Sequence, residues 1–400
     1  MTNADILALS DATQLGVYAR YPVAFVRGEG ARVWDADGKE YLDFFCGLAV
    51  TNLGHHHPGV TAAIHAQVDR VLHTSNVYYN EPAARLGQLL TERSFADRVF
   101  FSNSGAEANE AAIKCVRRYG ANVLGGRYEI LTAFGSFHGR TMATLSATAQ
   151  EKHQAGFQPM LQGFRYVPFG DLEAMRAAVR PETVAILVEP IQGEGGVHVP
   201  PDGYLRGLRD LCDERDLLLM LDEVQTGIGR TGRLFAYEHD GIAPDVMTLA
   251  KALGGGLPIG AMLATDRVAA ALTRGTHGST FGGNPVSCAA GVAVLEALGA
   301  EGLLDHCRRQ GERVRERLEA LRRRLPLIRD VRGRGLIWGI EIDREARPLV
   351  AAALERGLVI NVTAERVVRL LPPLTIAAEE IDRGLDVVED LFESAARGGA

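Results

Sequence analysis

The chain has 400 residues, 46% of them hydrophobic and 23% charged, the profile of an ordinary globular protein. It is too long for one simple core, so two domains, or one large domain with a smaller one attached, are expected. A formal charge of −7 argues against a nucleic-acid binder, which carries a basic excess or patch.

The N-terminus, MTNADILALSDATQ, lacks the basic region and apolar block of a signal peptide. No apolar run approaches the roughly 20 residues of a membrane-spanning helix. The five cysteines, Cys46, Cys115, Cys212, Cys288 and Cys307, are scattered and never form a CxxC pair. That suits a reducing compartment and offers no disulfide or zinc framework. The expectation is a cytosolic protein with no membrane anchor.

Within the first 54 residues, AFVRGEGARVWDADGKEYLDF alternates around Asp37-Gly38, as a β-hairpin does. His55-His56-His57 then stand before Pro58, which suits the first turn of a helix. No Asp, Glu or Cys accompanies the histidines at ligand spacing, so no metal site is expected. From about residue 60 to 300, apolar strands alternate with helical segments: RVFFSN, then GAEANEAAIKCVRRYG, then YEILTAF and VAILVEP. PDGYLRGLRDLCDERD places Leu205, Leu208, Leu211 and Cys212 on one helical face and leads into LLLML and DVMTLA. Apolar strands separated by helices indicate a mainly parallel sheet covered on both sides. After residue 300, CRRQGERVRERLEALRRRLPLIRD carries Cys307, Val314, Leu318 and Leu321 at helical spacing, with Leu304 just before it in the same pattern. It reads as an amphipathic helix with a solvated charged face, nucleic-acid contact being the minor alternative. LIWGIEI and VVRLLPPLTI complete a separate α+β unit.

Three strand ends carry unusual residues, and in such a sheet ligands bind at the carboxyl ends of strands. RVFFSN runs into Ser104-Gly105-Ala106 and a helix, a start whose amides suit phosphate, although ordinary capping gives the same pattern. LLLML ends in Asp222, an acid that needs a cationic partner or strong hydrogen bonds. DVMTLA ends in Lys251, which has apolar or glycine neighbours and no nearby acid, so loss of hydration depresses its pKa or makes it reactive. A phosphate loop is excluded, because the lysine precedes the glycines. Together the three match the needs of pyridoxal 5′-phosphate (PLP): a phosphate seat, an amine for a Schiff base, and an acid for the ring nitrogen.

The blocks GLAVTNLGHHHP, SNSGAEANEAA, FHGRT, VEPIQGEGG, DEVQTGIGRTG, KALGGGLPIGAM, HGSTFGGNP and VVRLLPPL resemble those of the class III (subgroup II) PLP-dependent aminotransferases of fold type I, most closely the acetylornithine branch. The resemblance runs from about residue 16 to the C-terminus. It implies an α/β fold with a large, mainly parallel-sheet domain over residues 55–300. Residues 1–54 and 301–400 would form the small α+β domain. Lys251 would hold the cofactor and shuttle the proton. Asp222 would pair with the pyridine nitrogen and Gln225 with the ring 3-oxygen. Phe137 and Val224 would flank the ring, although core packing explains those two positions as well. Ser104, Gly105 and Ala106 would hold the phosphate, joined by Thr280 of the partner subunit in an obligatory homodimer.

For substrates, the resemblance implies that Arg140 holds the donor's distal carboxylate and Arg369 the α-carboxylate of glutamate or 2-oxoglutarate. Arginine's planar fork suits that task. Glu194 would cover Arg369 when that carboxylate is absent, since an unpaired buried arginine is costly. Tyr18 would lie near the substrate amine. Leu48 stands where ornithine aminotransferases carry a second tyrosine, and an apolar wall suits a neutral acyl-amide chain. The expected reaction moves the δ-amino group of N-acetylornithine to 2-oxoglutarate. Ornithine, succinylornithine, 4-aminobutyrate and N-acyl-lysine-type donors stay open, because one pocket side chain shifts specificity by only about 1–3 kcal/mol. An aminomutase would not need both Arg140 and Arg369, and a non-catalytic PLP-binding protein should have lost Lys251 or Asp222. Arg230 and Arg233 read as structural.

Overall fold

In a computed structural model of the chain, which describes residues 1–398, the Asp37-Gly38 turn closes the expected hairpin. The first strands are β1 (Phe25–Glu29), β2 (Arg32–Asp35) and β3 (Glu40–Asp43). Gly38 takes φ +89°, which a side chain would resist. The Asp35 carboxylate accepts the amides of Asp37 and Lys39 at 3.0 and 2.9 Å, so two local bonds fix the turn.

The central sheet contains β4 (Arg98–Ser102), β5 (Glu129–Ala133), β6 (Phe164–Val167), β7 (Thr183–Val188), β8 (Leu218–Asp222), β9 (Val246–Leu249) and β10 (Gly260–Ala264). Their order is β4-β10-β9-β8-β7-β5-β6. The run from β9 to β6 is parallel throughout, and β10 lies antiparallel to both β9 and β4. Strands β7 to β10 are buried along their whole length. Alternate residues enter different cores: Ile186, Leu219 and Leu221 join one, while Leu187, Leu218 and Met220 join another. Both faces are therefore covered, which is why these strands read as unbroken apolar runs. In this sheet, two strands escaped the sequence reading. β6 is a half-buried edge strand containing Arg165, and β10, Gly-Ala-Met-Leu-Ala, is composed largely of small residues.

The C-terminal part supplies β11 (Ile328–Arg334), β12 (Ile337–Ile342), β13 (Leu358–Val359), β14 (Asn361–Thr363) and β15 (Val367–Leu370). Four of them form the sheet β11-β12-β15-β14, while β13 pairs parallel with β3, setting Leu358 beside Leu42. One sheet thus joins the two ends of the chain. The arginine-rich segment is the helix Leu303–Arg324, with Cys307, Val314, Leu318 and Leu321 buried. Its charged side is partnered, not only solvated. Arg317 reaches Asp386 at 2.8 Å and Arg324 reaches Glu389 at 2.8 Å, both on the helix Ala378–Ala396.

The histidine triplet divides between two partners. His55 Nε2 lies 2.7 Å from Asp43 Oδ2, and His57 Nε2 lies 3.2 Å from Glu301 Oε1. Pro58 opens the next helix, Pro58–Val68. Among the described residues, no group of three His, Cys, Asp or Glu side chains is arranged to hold a metal ion.

Candidate active site

Because β4, β5, β7, β8 and β9 point the same way, the segments that follow them converge at one end of the sheet. There they enclose a cavity of about 440 Å³. Ser104 stands in extended conformation just before the helix Gly105–Val123, and its hydroxyl accepts the Glu107 amide at 3.2 Å. Among the described residues, nothing accepts the amides of Gly105 and Ala106, which line the cavity. Gly105 is required by close approach: a Cβ there would lie 2.8 Å from Val224 Cγ1. The helix start and Val224 are thereby held against each other.

Asp222 ends β8 and is buried. Its Oδ2 accepts Asn109 Nδ2 at 2.7 Å and meets His138 Nδ1 at 2.8 Å, while Oδ1 accepts the Val224 amide at 3.0 Å. Asn109 Oδ1 in turn accepts the Thr248 hydroxyl at 2.7 Å. Asn109, His138 and Thr248 were missed by the sequence reading. The available signals were a polar side chain on the buried side of a helix for Asn109 and one within an apolar strand for Thr248; His138 lies in the irregular segment after β5, where no such pattern marks it.

Lys251 follows β9 and lines the cavity, with φ +45°. Burial pulls its pKa down, against the opposing pull of Glu194. Among the described residues, its ammonium makes no hydrogen bond or ion pair.

Beyond the lysine, Arg369 is fully buried. Its Nη1 donates to Glu194 Oε1 at 2.7 Å and to Gln225 Oε1 at 3.1 Å, and Nε donates to Asn361 Oδ1 at 3.2 Å. Nη2 has no partner among the described residues. Burial works to raise the Glu194 carboxyl, but Arg369 and Lys251 overcome it and hold it at about 2. Glu189, also unforeseen, accepts the Phe137 amide at 2.9 Å and the Gly193 amide at 3.0 Å. Burial pushes its carboxyl up to about 7.

Phe137 lies at the cavity with the Arg140 guanidinium 5.5 Å from its ring centre. Arg140 is exposed and, among the described residues, has no carboxylate partner. Four residues expected at the site, Tyr18, Leu48, Thr280 and Arg369, do not line this cavity; Arg369 meets it through Glu194 and Gln225, which do. Tyr18 is 71% exposed beside Arg20. Thr280 lies in a separate groove with His73 and Asn76. Leu48 is absent from the lining, whereas Val50, two residues further on, is part of it. Arg230 is fully buried, with Nη1 bonded to the carbonyls of Leu336 and Pro372 and Nη2 to Asn52, whereas Arg233 is exposed.

The chemistry of this donor set fits a phosphorylated pyridine aldehyde: free helix amides, an unpaired amine, and a buried acid held by its own donors. Comparison with known proteins agrees. The profile of the family Aminotransferase class-III matches residues 17–392. The acetylornithine aminotransferase of Caldanaerobacter subterraneus subsp. tengcongensis is 51% identical over 380 residues, 94% of this chain and 96% of its own. The solved ornithine aminotransferase of Toxoplasma gondii ME49 superposes with TM-score 0.95 at 36% identity, covering 100% of this chain and 96% of that one. The N-acetylornithine aminotransferase of Stenotrophomonas maltophilia K279a gives TM-score 0.84 at 37% identity, covering 98% of this chain and 100% of its own. The chain belongs to the class-III family of PLP-dependent aminotransferases.

Proposed function

We propose that this aminotransferase moves the δ-amino group of N-acetylornithine to 2-oxoglutarate, leaving N-acetylglutamate semialdehyde and glutamate, as a step of arginine biosynthesis in the cytoplasm. The observation that carries the reading is the pairing of a covered arginine with a free one. Arg369 is closed by Glu194, while Arg140 stands open beside Phe137. A site that alternates between glutamate and a donor lacking a carboxylate next to its amine needs that arrangement.

When bound, PLP takes up the amino group and withdraws electrons from the carbon that carries it. Ser104, Gly105 and Ala106 offer the phosphate a hydroxyl and two free amides, with Thr280 of the partner subunit completing the seat. Asp222, oriented by Asn109 and His138, would take the ring nitrogen, and Gln225 the 3-oxygen. Phe137 and Val224, which line the cavity, would flank the ring. Lys251 would hold the cofactor and act as the base that moves the proton at the substrate carbon; its lowered pKa favours the neutral amine this requires. Arg140 binds the distal carboxylate of the donor, and Arg369 binds the α-carboxylate of glutamate after Glu194 swings away. Tyr18 is assigned to the substrate amine. Residues 55–300 act as the large domain, with 1–54 and 301–400 as the small one. A homodimer is the working unit.

Ornithine is the second reading, favoured by the backbone match to the Toxoplasma enzyme. A backbone match reports the fold, whereas donor choice rests on side chains. The test is a single-turnover panel with N-acetylornithine, ornithine, succinylornithine and 4-aminobutyrate at equal concentration, following bleaching of the yellow PLP-loaded enzyme. Fastest bleaching by N-acetylornithine is expected; faster bleaching by ornithine would replace the reading.

A further inference from the structure

Four consecutive residues, Cys46, Gly47, Leu48 and Ala49, have φ of 50°, 57°, 70° and 60°. Isolated left-handed residues are common for glycine. A whole left-handed turn bearing three side chains is unfavourable for L-amino acids and persists only where its surroundings over-determine it.

The surroundings are specific. Asp43 is buried, and its Oδ1 accepts the amides of Phe45 and Cys46 at 2.8 and 2.9 Å, fixing the way into the turn. Its Oδ2 is held by His55 Nε2 at 2.7 Å. Ala49 is buried in a cluster with Ile191, Val197 and Leu371. The Val50 amide then donates to the Cys46 carbonyl at 2.8 Å, and Val50 emerges on the cavity wall with Gly256, Leu257 and Pro258, the loop that follows Lys251. Neither Asp43 nor His55 touches the cavity. A right-handed turn over the same residues would redirect every side chain that follows it.

We infer that Asp43 and His55 form a positioning pair for the amino donor, holding the left-handed turn so that Val50 forms the wall met by the donor's apolar acyl-diamine chain. The inference rests on the proposed N-acetylornithine activity. It gives the first histidine of the triplet a function, as a side chain acting through an aspartate. Glutamate, which is anchored by charge at Arg369 and Arg140, depends far less on that wall.

The experiment measures apparent KM and maximal rate in both half-reactions, with N-acetylornithine and with glutamate, on full-length PLP-loaded enzyme. Asp43→Ala is expected to raise the KM for N-acetylornithine about tenfold, the size of one lost wall contact, while that for glutamate moves less than about twofold. Asp43→Asn keeps Oδ1 for the two amides and restores most of the affinity. His55→Ala, at a side chain one-quarter exposed, gives a smaller rise of the same selectivity and carries the test if Asp43→Ala does not fold. Equal losses on both donors, or an unchanged N-acetylornithine KM in the folded variants, would overturn the inference. A wild-type enzyme that ignores N-acetylornithine but uses another ω-amino donor overturns the substrate reading instead, and the same selectivity is then read with that donor.

Discussion

Arg369, fully buried, makes three hydrogen bonds and leaves Nη2 without one, so its environment is complete only when a second anion arrives or Glu194 stays in place. Removing one partner of a buried pair exposes the other to an uncompensated cost. Glu194→Ala therefore leaves Arg369 open at all times. Relative to wild type, its half-reaction should strengthen with glutamate and weaken with N-acetylornithine, lowering the preference for the latter about tenfold or more. Unchanged single-turnover rates for both donors would refute this. A second residue-scale prediction concerns Asn109, which supplies one of two side-chain donors to Asp222. Asn109→Ala leaves a buried carboxylate short of a donor, at a cost of about 1–3 kcal/mol. PLP should bind roughly ten- to hundredfold more weakly in an equilibrium titration. The residues of the site divide between those legible in the sequence and those that were not. Lys251 and Asp222 stood out because a charge among apolar neighbours is unusual within a short window. The Asn109–Asp222 contact joins positions 113 apart, and no local pattern signals a bond that only the folded sheet creates.

Among the elements, the short turn of helix Ala236–His239 is tied to the segment after β8 by one carboxylate. Glu223 accepts the amides of Ala236 and Tyr237 at 2.7 and 2.9 Å and the Thr226 hydroxyl at 3.0 Å. Burial nevertheless pushes its carboxyl up to about 7, the three bonds pulling the other way. For a carboxyl raised on folding, the protonated form is favoured in the native state. Its contribution to stability is full below the ordinary carboxylate range and is lost as pH rises through about 7. Wild-type enzyme should thus lose part of its thermal stability between about pH 5 and pH 8, and Glu223→Gln should show a smaller decline over that window. Equal slopes of Tm against pH would contradict the assignment. The strands β7, β8 and β9 were legible because burial on both faces writes a continuous apolar run. The left-handed turn at Cys46–Ala49 was not, since only Gly47 marks it and Asp43 and His55 enforce it from outside.

At the scale of the whole molecule, the separation of Thr280 from the cavity is the informative feature. Asn76 Nδ2 donates to the carbonyls of Ser279 and Gly282, both at 2.8 Å, which locks the segment before it to the loop carrying Thr280. Around that junction Val77, Tyr78, Tyr79 and Phe281 are exposed, Tyr79 completely. Several large apolar side chains side by side on a surface mark a site that another surface covers. The proposed dimer would provide that cover and bring Thr280 to the phosphate seat of the other subunit, coupling assembly to cofactor binding. Tyr79→Glu places a charge where the second copy would pack, and a buried unpaired charge is strongly unfavourable. Wild-type enzyme should sediment as a dimer and the variant should shift towards monomer at micromolar concentration. The variant should also bind PLP more weakly, by about tenfold or more, because each seat lacks the threonine from across the interface. A monomeric wild type would remove the dimer from the mechanism. A monomeric variant with undiminished PLP affinity would leave the dimer standing but confine the phosphate seat to Ser104, Gly105 and Ala106 of a single chain.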